Sequence, residues 1–165
     1  MIISESPDTD REDTDTPPLD MQPHVVVNEE QSKRSLALAM AAAETAHDNR
    51  GTNIAVLDLR RVTPVFDYFV VATGTSRRQL HAISEEIDHR LEDELKDKRM
   101  GIEGYSESRW ILLDYGSVVV HLFDDETRDY YALENLWADA ERVPLPWDDE
   151  AGDDTPGDDP ASEAS

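Results

Sequence analysis

Thr73, Gly74, Thr75 and Ser76, followed by Arg77 and Arg78, place a glycine and three hydroxyls where a helix is expected to begin. Backbone N–H groups and the helix dipole attract anions at such a mouth, so phosphate is the ligand this turn would take. The turn lacks the glycine spacing and the lysine of a Walker loop. Ser76 and Gln79 also have the form of a capping box, in which a serine oxygen and a glutamine side chain satisfy free backbone donors. Capping is therefore the preferred reading of Gly74, Thr75 and Ser76, with an anion site as the alternative. A nucleotidyltransferase would need two or three carboxylates closing on Mg²⁺ as well. No Asp-x-Asp or Asp-x-Glu pair follows Gly74. Asp58 and Asp67 lie near expected strand ends and could meet in space, but lone acids there more often serve turns and ion pairs.

The five histidines, His24, His47, His81, His89 and His121, are scattered, and none has a second ligand at metal spacing. His121 lies on an inner strand, where a core or cross-strand role is the plain expectation. There is no cysteine, which removes disulfides, thiolate catalysis and cysteine-ligated zinc together. No Gly-x-Ser-x-Gly elbow offers a serine nucleophile. The sequence points to no enzyme, no metal and no cofactor. Aromatic residues remain: Trp110 and, further on, Tyr130, Tyr131 and Trp137. Tryptophan and tyrosine are frequent interface anchors. On a helix Tyr130 and Tyr131 stand about 100° apart, so if Tyr130 packs inward, Tyr131 turns toward the edge of that face. Trp110 and Tyr131 are the candidates for a partly exposed patch, with core packing as the alternative.

The formal net charge is −23 over 165 residues. Residues 1–31 hold nine acids against one arginine, and residues 145–165 hold eight against no base. Such stretches cannot bury enough apolar surface to offset chain entropy. The expected organisation is an acidic N-terminal tail over 1–31, one domain over 32–146 and an acidic C-terminal tail over 147–165. An acidic protein repels phosphate, which argues against direct sequence-specific nucleic-acid binding and favours a basic protein partner. Neither a long apolar run nor an arginine-rich amphipathic pattern opens the chain, so the expectation is a cytoplasmic protein without a membrane segment.

The elements that must position these residues are legible in outline. Residues 32–49 are rich in alanine and leucine and predict a helix, with Gly51 as its C-terminal cap. Residues 53–58 and 67–73 read as buried strands. Leu80, Ile83, Ile87, Leu91 and Leu95 share one helical face, with Glu85, Glu86, Asp88 and Arg90 turned outward. Gly101 and Gly104 bracket a short edge strand. Two apolar runs within residues 110–123 flank Tyr115 and Gly116 as a hairpin that pairs residues 111–114 with 118–121. Asp124 and Asp125 favour the start of a last helix whose inward stripe is Tyr130, Leu133 and Trp137. Residues 143–146 end the ordered part. The fold class is α/β or α+β, a mixed sheet of about five strands flanked by helices.

Four blocks together resemble a known family. They are Asp-Tyr-Phe-Val-Val-Ala-Thr-Gly-Thr-Ser at 67–76, Arg-Trp-Ile-Leu-Leu-Asp-Tyr-Gly at 109–116, Val-Val-Val-His-Leu-Phe at 118–123, and Tyr131-x-Leu133-Glu134-x-Leu136-Trp137. In order and spacing, from about residue 35 to 137, the chain is similar to the ribosomal silencing factors, also called the Iojap family. The resemblance implies a nucleotidyltransferase-like topology without its metal site. It also implies binding to the large ribosomal subunit through its protein number fourteen, a block on joining of the small subunit when nutrients are short, and a homodimer when free. It assigns partner contact to Trp110 and Tyr131. The long acidic ends depart from the family pattern.

Overall fold

The computed structural model describes residues 28–148. The expected tails fall outside these residues except at their inner ends. Helix α1 spans Glu29–Asp48, three residues ahead of the expected start. The Asn28 side chain accepts from the Glu30 N–H at 3.1 Å, and Glu29 and Glu30 sit where negative charge meets the positive end of the helix dipole. These acids therefore belong to a first turn. At the other end the left-handed residue is Arg50, φ 65°. The Gly51 N–H reaches the Ala46 carbonyl at 2.8 Å and the Arg50 N–H reaches that of His47 at 3.0 Å, the two bonds of a Schellman cap. Gly51 is needed for closeness, since a Cβ there would lie 2.9 Å from the Ala46 oxygen.

Strand β1 (Thr52–Asp58) pairs antiparallel with β2 (Tyr68–Gly74). Helix α2 (Arg77–His89) runs on into a single π turn at Arg90–Glu94. Then come β3 (Gly101–Glu103), β4 (Trp110–Asp114), β5 (Val118–Asp124), helices α3 (Asp125–Tyr131) and α4 (Leu133–Leu136), and β6 (Glu141–Arg142). The sheet has six strands in the order β3-β4-β5-β2-β1-β6. β6, which adds two residues to the edge of β1, is the strand that hydrophobic pattern does not reveal. Among the described residues only β2 and β5 pair in parallel, with Tyr68 opposite Val118 and Gly74 opposite Asp124. Both strands are buried along nearly their whole length, as strands covered on two faces must be.

Alternate residues supply two cores. Tyr68, Val70, Ala72, Ile111, Val120 and Leu122 meet the small face of α1, where Ala39, Ala42, Ala43 and Ala46 are fully buried, and Leu80, Ile83, Ile87 and Leu91 of α2. Phe69, Val71, Val119 and Phe123 face the other way, toward Leu133 and Trp137. Asp88 and Arg90 are not turned to solvent. Asp88 accepts from Arg99 at 2.8 Å and from the Tyr115 hydroxyl at 3.0 Å, and Arg90 reaches the Ala41 carbonyl, Thr45 and Glu44 on α1.

The hairpin forms with its strand pairing shifted by one residue from the expected register. Asp114 pairs with Val119 and Ile111 with Leu122, while the Tyr115 N–H donates to the Val118 carbonyl at 2.9 Å. Gly116, φ 88°, and Ser117 make the loop. The last helix also differs. Ala132 adopts φ 44°, which ends α3 and re-aims the chain into α4. Leu133 stays inside, but Tyr130 is 81% exposed. Packed chain continues past residue 146, because the Trp147 ring stacks on His47 at 4.1 Å.

Candidate partner-binding site

Trp110 opens β4 directly opposite Phe123 of β5, and the two rings stack with centroids 5.0 Å apart. Tyr131, the last residue of α3, brings its ring to 4.7 Å from Trp110, and Tyr130 lies edge-on to Tyr131 at 5.1 Å. Strand pairing and the start of a helix thus unite residues 21 positions apart. Trp110 is half-buried and Tyr131 is 46% exposed, so the patch combines a packed base with an open edge. Trp110, Tyr131, Tyr130, Leu112, Glu103 and Glu126 line a groove of about 530 Å³. Glu107 and Arg109 complete its charge, three carboxylates against one guanidinium. An aromatic floor under a net negative rim suits a basic polypeptide surface, by steering at long range and by anchoring at contact.

Three devices fix this geometry. The loop ahead of β4 closes tightly over the Trp110 backbone: Gly104 has φ 76°, and a Cβ there would lie 1.9 Å from the Trp110 oxygen. The same loop is held by α2, whose Arg77 donates to the carbonyls of Ser106 and Glu107 at 3.0 and 3.3 Å. His81 stacks on Tyr105 and contacts the Ser108 hydroxyl. Ser108 is buried, and its hydroxyl also donates to the Tyr105 carbonyl at 2.9 Å, so this serine–histidine pair is a loop tie. On the opposite wall Arg128 of α3 donates to Thr73 Oγ1 at 2.7 Å and to Glu134 at 3.0 Å, and contacts the Asn53 carbonyl. Burial alone would raise the Glu134 carboxyl, but the hydrogen bond and charge of Arg128 outweigh it and hold the group below its usual range.

Beneath the site, the Trp110 indole N–H donates to His121 Nδ1 at 3.1 Å. His121 is 4% exposed, and burial lowers its pKa to about 4. The ring is therefore neutral near pH 7, with Nδ1 accepting and the proton on Nε2. Nε2 has no hydrogen-bond partner among the described residues.

The Gly74 turn is a different place. Ser76 Oγ accepts from the Gln79 N–H at 3.0 Å, and Gln79 Oε1 accepts from the Thr75 N–H at 2.7 Å. Two of the backbone donors at this helix mouth are thus taken by the capping side chains. Gly74 is explained by helix packing, since a Cβ there would meet Leu80 at 2.7 Å. Asp67 stands at the opposite end of β2, about 20 Å of extended strand away, and accepts from Ser35. Asp58, at that same far end, is clamped by Arg60 at 2.7 and 2.9 Å. Neither acid meets the turn. Among the described residues no three His, Cys, Asp or Glu side chains are grouped to hold a metal ion, and no helix is long and apolar enough to cross a membrane.

Sequence reasoning named Trp110 and Tyr131 for a partly exposed patch, and the structure brings the two rings together at its surface; it missed Phe123, His121 and Arg128 as their supports. The signal for the first two was register: strand partners on one face share parity, and the shifted turn is what places His121 on the face of Trp110. Arg128 left no such signal.

A family model described as "Ribosomal silencing factor during starvation" matches residues 31–165. The chain is 43% identical over 109 residues to the Bacillus subtilis protein named ribosomal silencing factor RsfS, covering 66% of this chain and 88% of that one. It is 34% identical over 120 residues to the chloroplastic protein Iojap of Arabidopsis thaliana, covering 71% of this chain and 48% of that one. Among solved structures, a Chromobacterium violaceum protein superposes with a TM-score of 0.60 at 33% identity, over 67% of this chain and 91% of its own.

Proposed function

This chain belongs to the ribosomal silencing factor family, and from that premise we propose that it represses translation by binding the large ribosomal subunit. The contact is made with ribosomal protein number fourteen, at the face that meets the small subunit, so the bound factor excludes the small subunit sterically. Starvation is the condition under which it acts, the cytoplasm is the compartment, and the free protein is a homodimer. Repression of this kind needs no cofactor and no chemical step.

The observation that carries the proposal is the pairing of Trp110 with Tyr131 at 4.7 Å on an acidic groove. Two large, rigid, half-open rings supply anchors at little cost in side-chain entropy, and the surrounding carboxylates favour a basic partner. The test is co-sedimentation with purified large and small subunits. Wild type should pellet with large subunits and prevent their joining to small ones, and a folded Trp110→Ala, Tyr131→Ala variant should do neither. Failure of the wild type to bind large subunits at micromolar concentration in low salt would end this reading.

A further inference from the structure

We propose that His121 is a positioning residue for partner binding: its buried ring accepts the Trp110 indole N–H at Nδ1 and so fixes the orientation in which the indole meets the partner. The inference rests on the role proposed above for Trp110. An indole has one polar atom, and a buried indole N–H seeks an acceptor. Here the acceptor lies inside the protein, 3.1 Å away on a ring that is 4% exposed. Trp110 therefore spends its donor inward, and its interaction with a partner is left to the carbon face beside Tyr131.

His121 can hold this place because its own ring is locked. Phe69 of β2 stands edge-on to it at 4.6 Å, and Phe123, two residues along β5, lies nearly parallel at 6.2 Å. With Phe69, Phe123 and Trp110 around it, no charged group among its ring neighbours favours the imidazolium, and burial keeps Nδ1 free to accept. The arrangement has a cost at the far atom, where the Nε2 proton is buried without an acceptor among the described residues. Phenylalanine would fill the site without that cost but would offer nothing to the indole. A local rule is broken at Nε2 and a functional geometry is held at Nδ1, a combination expected at binding sites.

The direct test uses the unmodified full chain labelled with ¹⁵N. Scalar coupling across the hydrogen bond between Trp110 Nε1 and His121 Nδ1 should be observed, with the indole signal assigned through Trp110→Phe; its absence overturns the proposal. Two variants separate positioning from packing. His121→Phe should keep or raise the thermal midpoint, speed exchange of the Trp110 indole proton, and weaken large-subunit binding about tenfold. His121→Asn leaves a cavity and should lower the midpoint, yet its Oδ1 stands near the place of Nδ1, so affinity should stay within about threefold of wild type. Wild-type affinity in His121→Phe, or weaker binding by Asn than by Phe, overturns the proposal. If wild type does not bind large subunits, the functional reading fails separately, and the indole coupling and exchange still decide whether His121 orients Trp110.

Discussion

Arg128 donates a 2.7 Å hydrogen bond to the hydroxyl of Thr73, joining the helix that ends in Tyr131 to the end of the central strand. Helix α3 has no fully buried residue of its own, so beside the Asp124 cap and the Tyr131 ring on Trp110 it is held by Arg128, whose side chain is 10% exposed and also serves Glu134 and the Asn53 carbonyl. Arg128→Ala should destabilise the fold by about 2–3 kcal/mol, because it strands a half-buried carboxylate and two other acceptors. Urea unfolding should show a lower midpoint at unchanged slope. Arg128→Lys should recover only part of the loss, since a single ammonium cannot reproduce a planar fork that meets three partners.

Trp110 and Tyr131 should act on binding as a coupled pair. Each alanine substitution is expected to cost about 2 kcal/mol or more of large-subunit affinity. The double variant should lose less than the sum by about 1 kcal/mol, because removing either ring frees the other from its support. Affinities of wild type, both singles and the double supply the cycle. Full additivity would mean that the two rings anchor independently.

How far this site could be read in advance turns on one residue of register. Apolar runs around a glycine announce the hairpin, and the two candidate aromatics follow from their types and places. The expected pairing of 111–114 with 118–121, a reversal centred on Gly116, would place Ile111 opposite His121 and put Trp110 on the other face. The observed reversal at Gly116 and Ser117 pairs Leu112 with His121 and brings Trp110 and His121 to one face. Side-chain period two makes that slip decisive, and the bonds that set it are tertiary: the Ser117 carbonyl accepts from the N–H groups of Asp67 and Tyr68, and its hydroxyl meets Ser35 of α1. Tyr130 fails as a core residue for a similar reason. Its stripe assumed an unbroken helix, and Ala132, with no glycine or proline to mark it, takes a left-handed conformation.

Stability should fall as pH drops from about 6.5 toward 4. In the unfolded chain His121 protonates near its ordinary value of 6.5, while in the folded chain burial delays this to about 4. Through that window the unfolded state binds more protons, so the stability present above pH 6.5 is progressively lost, by about 3 kcal/mol in total. From the acid end of that window downward, Glu134 and then Asp58, whose carboxyls the neighbouring arginines hold below their usual range, add a further loss. Denaturant unfolding of His121→Phe beside wild type isolates the histidine: the difference between them should change by that amount between pH 7 and pH 4. A constant difference would mean that the ring protonates in place.

Gly104→Ala should damage the site without touching an aromatic ring. The new Cβ would have to occupy space 1.9 Å from the Trp110 carbonyl oxygen on a backbone with φ 76°, so either the loop or the start of β4 must move. Together the strain and the displacement should cost about 2–4 kcal/mol in stability. A shift in near-ultraviolet tryptophan circular dichroism should accompany the loss. Gly101→Ala is the control, since no atom lies within 4 Å of a Cβ there.

Two truncations separate the contribution of residues 28–148 from that of the acidic ends. A chain cut to 32–146 follows the composition boundary, but it discards the Asn28 cap with the first turn of α1 and the Trp147 ring that stacks on His47. A chain cut to 28–148 keeps both. The shorter one should be less stable by about 2 kcal/mol, near 1 for a lost N-cap and near 1 for a lost aromatic stack. The longer one should bind large subunits as the full chain does, because the groove at Trp110 and Tyr131 lies wholly within it. If 28–148 folds with wild-type stability yet does not bind, recognition runs through the acidic ends, and the aromatic pair would be a feature of the core.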